Sequence, residues 1–316
     1  MWKNSFMKKI ENNLHWFLLV NKPLTWTSFD VIWYSRKVLQ TKKIWHTWTL
    51  DPLATGLMIL WIWKGTKFLN FHTADRKTYE ADVRFWFTTE TYDDEWEKIS
   101  TNFEWEIWKQ KLFEELENFK WKIKQIPPRF SAIKVWWQKL CNLARKWQKN
   151  IKIPEREITI FEIKILDYKW PDLKLKITCS SWTYIRSIAN DLWENLWCWG
   201  YLTWLKRTEI EDLKLEDAIE KDEISPEKII PLDKILDFEK LFLVEKIIER
   251  MGFWQKISIE KLELEENFLN RNKNFLDNKN DFSPDEEKFF RIYDFEEKFI
   301  WIWVLFDGVL KSKIFI

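Results

Sequence analysis

The chain has 316 residues, 46% of them hydrophobic and 32% charged, with a formal net charge of +1. That balance excludes a disordered or low-complexity chain and suits one large domain beside one small one. It also excludes a membrane protein: no apolar stretch reaches spanning length and the N-terminus has no signal-peptide core, so a cytoplasmic protein is expected. In chain order, "WFLLVNKP" (16–23) reads as a short strand ended by Pro23. "TSFDVIWYSRKVLQT" (27–41) reads as a helix with Thr27 or Ser28 as its N-cap. "LATGLMILWIW" (53–63) is apolar throughout and fits a buried helix or a buried strand equally. "KTYEADVRFWF" (77–87) alternates as a strand, and "TNFEWEIWKQKLFEELENFK" (101–120) reads as an amphipathic helix. "LKLKITCSSWTYIRSIANDLWENL" (173–196) gives a strand, a turn at Ser180-Ser181-Trp182 and a helix from about Tyr184. "LEDAIE" (215–220) starts a short helix. The polar, Asn-rich 267–287 segment reads as a mobile loop or linker. A final strand pair over 298–316 turns at Asp307-Gly308, a hairpin signal.

Cys141, Cys179 and Cys198 show no CxxC spacing, and His15, His46 and His72 show no metal-ligand spacing. A reduced compartment and no structural metal follow. Charge is uneven. Residues 1–80 carry twelve Lys/Arg against five Asp/Glu, and 119–150 carry nine basic groups and no acid. Such runs are ordinary solvated faces, or, interleaved with aromatics, a face for a polyanion.

Composition holds one anomaly: 25 Trp and only 5 Gly. Glycine is normally about 7% of a chain, and turns and helix ends depend on its tolerance of positive φ. Tryptophan meanwhile stands where loops are expected, as in "DDEWE" (93–97), "ARKWQ" (144–148) and "NLWCWG" (195–200). Both facts follow if the gene uses UGA for glycine and UGA has been read as Trp. The alternative is a Trp-rich protein that binds carbohydrate or stacks bases.

Five ordered motifs, "NKPLTWTSFDV", "KKIWHTWTLDPLATGL", "KTYEADVRFWFTTETYDDEWE", "QIPPRFSAIKV" and "CSSWTYIRSIANDLWENLWCWGYLTWLKRT", closely resemble the TruB family of tRNA pseudouridine synthases. The resemblance runs from about Trp16 to "IIPLD" at 229–233. The family writes HTGTLDPLATG and GTYIR where this chain has HTWTLDPLATG and WTYIR. Thirteen tryptophans fall at family glycines: Trp16, Trp45, Trp48, Trp63, Trp86, Trp96, Trp121, Trp137, Trp147, Trp182, Trp193, Trp197 and Trp199. Trp26 falls where the family often has Trp. Thr25 and Glu211 occupy two further family glycine slots, and Cys141 stands where an aromatic is common.

The resemblance implies an α+β pseudouridine synthase fold, a curved antiparallel central sheet flanked by helices, over 13–237. Residues 1–12 would be an extension, and 238–316 a small PUA-like β module that binds RNA. It implies isomerisation of uridine 55 in the T arm of tRNA, with no nucleotide cofactor and no metal. Another RNA substrate, or a non-catalytic role in tRNA refolding, are the alternatives. Asp51 would be the catalytic carboxylate at the ribose; from the residues alone it also fits a turn cap before Pro52. His46 would brace the space left by a flipped base. Tyr79 would stack on that base, Arg186 would pair with Asp51 and aim it, and Tyr184 and Leu205 would line the uracil pocket. Lys22 would support the pocket floor or meet a phosphate. Lys134, Lys139 and Arg145 would meet backbone phosphates.

Overall fold

The computed structural model describes residues 15–69, 75–100, 106–135, 137–145, 153–196, 198–231, 234–235, 238–252, 255–264, 266–278 and 286–312. The 1–12 extension lies outside them. Two compact units result: one of residues 17–62 and 69–229, the other of 1–16, 63–68 and 230–316.

The larger unit is built on one sheet. Its strands of four residues or more are β1 (His15–Lys22), β2 (Ile44–Thr47), β3 (Ala54–Trp63), β4 (Arg76–Phe85), β5 (Trp121–Gln125), β6 (Arg156–Lys169), β7 (Asp172–Ser180) and β8 (Gly200–Ile210). The order across it is β1-β3-β8-β4-β7-β6-β5, with β2 beside β3. Pairing is antiparallel from β8 to β5. It is not antiparallel throughout, as expected, because β8 runs parallel to β3 at Leu205–Arg207 against Ala54–Gly56. That contact requires a glycine. Gly56 has φ +106°, and a Cβ there would lie 2.3 Å from the Arg207 carbonyl oxygen. The ambiguous 53–63 run is thus a strand, and nearly all of it is buried, which explains why its sequence does not alternate.

Helix α1 (Ser28–Val38) starts where expected. Thr27 is the N-cap: its hydroxyl accepts the Asp30 N–H and the Asp30 carboxylate accepts the Thr27 N–H. Helix α2 spans only Lys109–Asn118, not 101–120, because Trp108 is extended (φ −68°, ψ 136°); 101–105 lie outside the described residues. Helix α3 is Leu140–Arg145 and α4 is Ile185–Leu196. "LEDAIE" does not form the expected helix. A 3-10 turn covers Leu215–Asp217, and the chain then extends, since the Ile219 N–H donates to Leu19 and its carbonyl accepts from Asn21.

The smaller unit holds a five-stranded sheet that includes Glu239–Phe242, Lys288–Tyr293, Phe299–Phe306 and Val309–Ser312. The hairpin turns at Asp307 and Gly308 (φ 50° and 65°), as the sequence indicates. The Asn-rich segment departs from expectation. Residues Glu266–Arg271 and Lys273–Asn278 are two short helices, held by buried Phe268 and Phe275. Between them the buried Asn272 side chain donates to the Phe242 and Phe268 carbonyls and accepts the Phe242 N–H.

Among the described residues, twelve non-glycine positions have positive φ, and six are tryptophans: Trp48, Trp63, Trp86, Trp121, Trp137 and Trp182. All six belong to the thirteen that resemble family glycines. Thr25 (69°) and Glu211 (48°), the two other glycine-slot residues, join them. Trp16, Trp45, Trp96, Trp193 and Trp199 have ordinary φ, and Trp147 and Trp197 lie outside the described residues.

Candidate active site

Residues 48–53 link β2 to β3, and alternate carbonyls of this loop are each held from a different direction. Arg207 Nη2 donates to the Trp48 carbonyl at 2.9 Å. Ser28, in the first turn of α1, donates to the Leu50 carbonyl (3.0 Å) and accepts its N–H (2.8 Å). Lys22 Nζ donates to the Pro52 carbonyl (3.2 Å), which also accepts the Thr25 N–H (3.1 Å). Asp51 is left with its side chain about a third exposed, facing Arg186.

Arg186 sits in the first turn of α4 with its side chain buried. Its Nε lies 2.9 Å from Asp51 Oδ2, and its Nη1 lies 3.2 Å from Oδ2 of Asp93. The carbonyls of Thr91 and Phe130 accept from its two Nη atoms. One guanidinium thus spans two carboxylates, a planar fork suited to that task. Asp93 is buried and accepts from the Thr91 hydroxyl and the Glu95 N–H. Burial raises its pKa, while Arg186 and the Thr91 hydroxyl oppose the rise. The start of α4 is fixed by the Gln125 side chain, which exchanges two hydrogen bonds with the Tyr184 backbone.

Beside this pair lies a cavity of about 390 Å³ lined by Asp51, Lys77, Tyr79, Tyr184, Leu205 and Arg207, among others. Tyr79 is buried on β4, opposite Arg207 of β8, and burial raises its pKa. Burial likewise raises that of Tyr184. An apolar, aromatic hollow with an ionic pair on its wall can hold a flat heterocycle against a carboxylate.

The structure brings Asp51, Tyr79, Tyr184, Arg186 and Leu205 to this one cavity. His46 is on β2, partly buried, and burial followed by the charge of Arg207 lowers its pKa. Lys22 is fully buried, its Nζ donates to the carbonyls of Pro23, Trp26 and Pro52, and it is not among the residues that line the cavity. It supports the Asp51 loop from beneath. Arg145 is exposed and lines a second hollow that also contains Asp51, Asp93 and Arg186. Lys134 is exposed on a two-residue strand; Lys139 lies on the paired strand, with its side chain outside the described residues.

Sequence reasoning missed Asp93, Lys77 and Arg207. Strand periodicity held a signal for the last two, since Lys77 precedes Tyr79 by two and Arg207 follows Leu205 by two, on the same faces. Asp93 forms an isolated bridge to Leu202 inside a loop, with no periodicity to read. No group of three or more His, Cys, Asp or Glu side chains suited to a metal ion occurs among the described residues.

Residues 36–185 match the family model described as TruB family pseudouridylate synthase (N terminal domain). The tRNA pseudouridine synthase B of Clostridium kluyveri is 34% identical over 305 residues, covering 95% of this chain and 99% of that protein. The enzyme of the same name from Fusobacterium nucleatum is 42% identical over 199 residues, 63% of this chain and 69% of its own. The fold is similar to that in the crystal structure of a Cbf5-Nop10-Gar1 complex, with a TM-score of 0.65 at 15% identity, covering 98% of this chain and 87% of that one. With family likeness over nearly the whole chain and a site assembled from the family's motifs, this chain belongs to the TruB family of pseudouridylate synthases.

Proposed function

We propose that this chain isomerises uridine to pseudouridine in tRNA, at position 55 of the T arm. The observation that carries the reading is the Asp51–Arg186 pair on the wall of a cavity lined by Tyr79, Tyr184 and Leu205. The target base is extruded from its stack into that cavity. Asp51 then acts on the ribose, as nucleophile at C1′ or as base, while Arg186 fixes the direction of its carboxylate. Tyr79 stacks on the base, Tyr184 and Leu205 enclose it, and His46 braces the vacated space. The reaction is redox-neutral, and no nucleotide cofactor and no metal take part. Lys134, Lys139 and Arg145 meet phosphates, and the C-terminal sheet unit serves as a PUA-like second RNA contact. A cytoplasmic location agrees with this substrate, and no described helix is long and apolar enough to cross a membrane.

The test is tritium release from tRNA carrying uracil labelled at C5. Asp51→Asn keeps the shape and removes the reactive carboxylate, so release should vanish while tRNA binding survives. Activity retained within about tenfold would place the chemistry on another group. Release from an RNA without the T arm would favour a different substrate. Refolding of tRNA with no release by the unaltered protein would favour the chaperone role.

A further inference from the structure

Beneath the cavity lie two cations that the reaction described above does not use. Lys77 and Arg207 are 3% and 1% exposed, on the adjacent strands β4 and β8, and both line the cavity. They bracket Tyr79: Lys77 precedes it by two residues on the same face, and Arg207 faces it across the register. Arg207 donates from Nε to the Leu57 carbonyl (2.8 Å) and from Nη2 to that of Trp48 (2.9 Å), and its charge opposes the rise in the Tyr79 pKa. It forms no ion pair with a carboxylate among the described residues. Lys77 Nζ donates to the Ser181 hydroxyl (2.6 Å) and lies 4.7 Å from the centre of the Trp48 ring.

Burying a cation is costly, and Glu211 and Asp75 offset only part of that cost at Lys77. Burial pushes Lys77 down to about 8 and lowers the pKa of Arg207 as well. Two such groups under one aromatic floor call for a reason, and a perturbed pair in a cleft marks a functional site. Arg207 satisfies the Leu57 and Trp48 carbonyls, but packing supplies no reason for Lys77, since an apolar side chain of similar volume would fill its space at lower cost. A negative charge that exists only during the reaction supplies one.

Such a charge arises when the uridine N1–C1′ bond breaks. The electron pair leaves with the base, giving an anion shared among N1 and the two carbonyl oxygens. After the base turns, C5 uses an electron pair to bond C1′. The C5 proton is then lost and N1 takes up a proton, so the composition is unchanged. We propose that Lys77 and Arg207 form an electropositive floor that stabilises the uracil anion between these two steps. Lys77 acts as the direct donor to a carbonyl oxygen of the base, and Arg207 is a positioning residue that acts through Tyr79. Preorganised donors of this kind, aimed at charge that develops in the transition state, contribute more than those that hold the neutral substrate. The inference rests on the isomerase reading.

The experiment compares single-turnover product formation on tRNA with uridine and on tRNA with 5-fluorouridine, at mildly acid pH where the fluorinated base keeps its N3 proton. Products are read by nuclease digestion and chromatography. Fluorine withdraws electrons, so the fluorinated base leaves more readily as an anion and needs the floor less. Lys77→Met should lower the rate on uridine by ~10²-fold or more, keep tRNA affinity, and lower the rate on 5-fluorouridine far less. Lys77→Arg should restore part of the uridine rate. Equal losses on the two substrates, or no loss, would overturn the proposal and leave Lys77 a structural residue. If Lys77→Met fails to fold by circular dichroism, Lys77→Gln takes its place under the same criteria. Unaltered protein that forms no pseudouridine would sink the isomerase reading itself, an outcome distinct from either.

Discussion

Replacing Trp121, Trp137 and Trp182 together by glycine should stabilise the protein. These three have φ of 74°, 69° and 68°, where an L side chain crowds its own backbone. The left-handed conformation costs a non-glycine residue about 1–2 kcal/mol, while glycine gives up about 0.5–1 kcal/mol of backbone entropy on folding. Each exchange therefore gains roughly 0.5–1 kcal/mol before packing is counted. Little packing is lost, because the three side chains are 71%, 94% and 70% exposed. The one specific contact removed is Arg156 over the Trp182 ring at 5.3 Å, which contributes about 0.5–1 kcal/mol at an exposed site. The sum favours the triple variant by about 1–2 kcal/mol, a rise of roughly 2–8 °C in Tm for a unit of this size. Thermal unfolding followed by circular dichroism reads it. Trp61→Gly is the contrast: Trp61 is fully buried in β3, outside the positive-φ set, and donates to the Thr47 hydroxyl at 3.2 Å. Its loss should cost about 3–5 kcal/mol. A triple variant with unchanged or lower Tm would refute the strain argument. We further expect TGA codons at the thirteen glycine-slot tryptophans and TGG at Trp26; TGG throughout would end the recoding explanation.

Three other outcomes are expected. Asp93→Asn should lower the single-turnover rate by ~10²-fold with tRNA affinity kept, because Arg186 loses the charged partner that balances its pull on Asp51; an unchanged rate would make Asp93 a purely structural residue. Burial lowers Lys77 from 10.5 to about 8, with Arg207 lowering it further and Cys179, Glu211 and Asp75 raising it, so its ammonium persists below about pH 8 and discharges above. The rate should therefore fall as pH rises through about 8, and this fall should be absent in Lys77→Met; a fall that persists there belongs to Lys22, which burial also lowers to about 8. Finally, tRNA affinity should fall linearly with log salt, and replacing Lys134 and Arg145 by Ala should reduce the slope by about 1.4–1.8; an unchanged slope would remove both from the phosphate contacts.

What could be read in advance depended on the range of the interaction. The α1 cap was legible because Thr27 and Asp30 satisfy each other across three residues. The terminal hairpin was legible because Asp307-Gly308 carries its own turn geometry. Asp51, Tyr79 and Arg186 were found through motif resemblance, and no local rule would have joined residues so distant in the chain. Local reading failed where a distant partner decided the conformation. "LEDAIE" was diverted from a helix by the backbone of β1. The polar 266–278 segment folded because Phe268 and Phe275 had a sheet to bury against and Asn272 had the Phe242 backbone to bond. The parallel pairing of β3 with β8 was signalled only by Gly56, whose need for close approach shows once Arg207 is beside it.

Lys22 carries the same lesson into function. A lysine before a proline, near a polyanion site, invites a phosphate. Its ammonium instead sits under the Asp51 loop, where three carbonyls accept its protons. Because the Pro52 carbonyl adjoins Asp51, loss of this anchor would let the carboxylate drift relative to Arg186, and misplacement of about 1 Å can cost ~10²-fold in rate. Lys22→Met should therefore depress the single-turnover rate at saturating tRNA while leaving tRNA affinity and its salt dependence unaltered. A phosphate-binding lysine would give the reverse split, with weaker binding, a shallower salt slope and an intact rate once tRNA is saturating. That reverse split would show that Lys22 reaches the RNA and that its buried position is not the one used in catalysis.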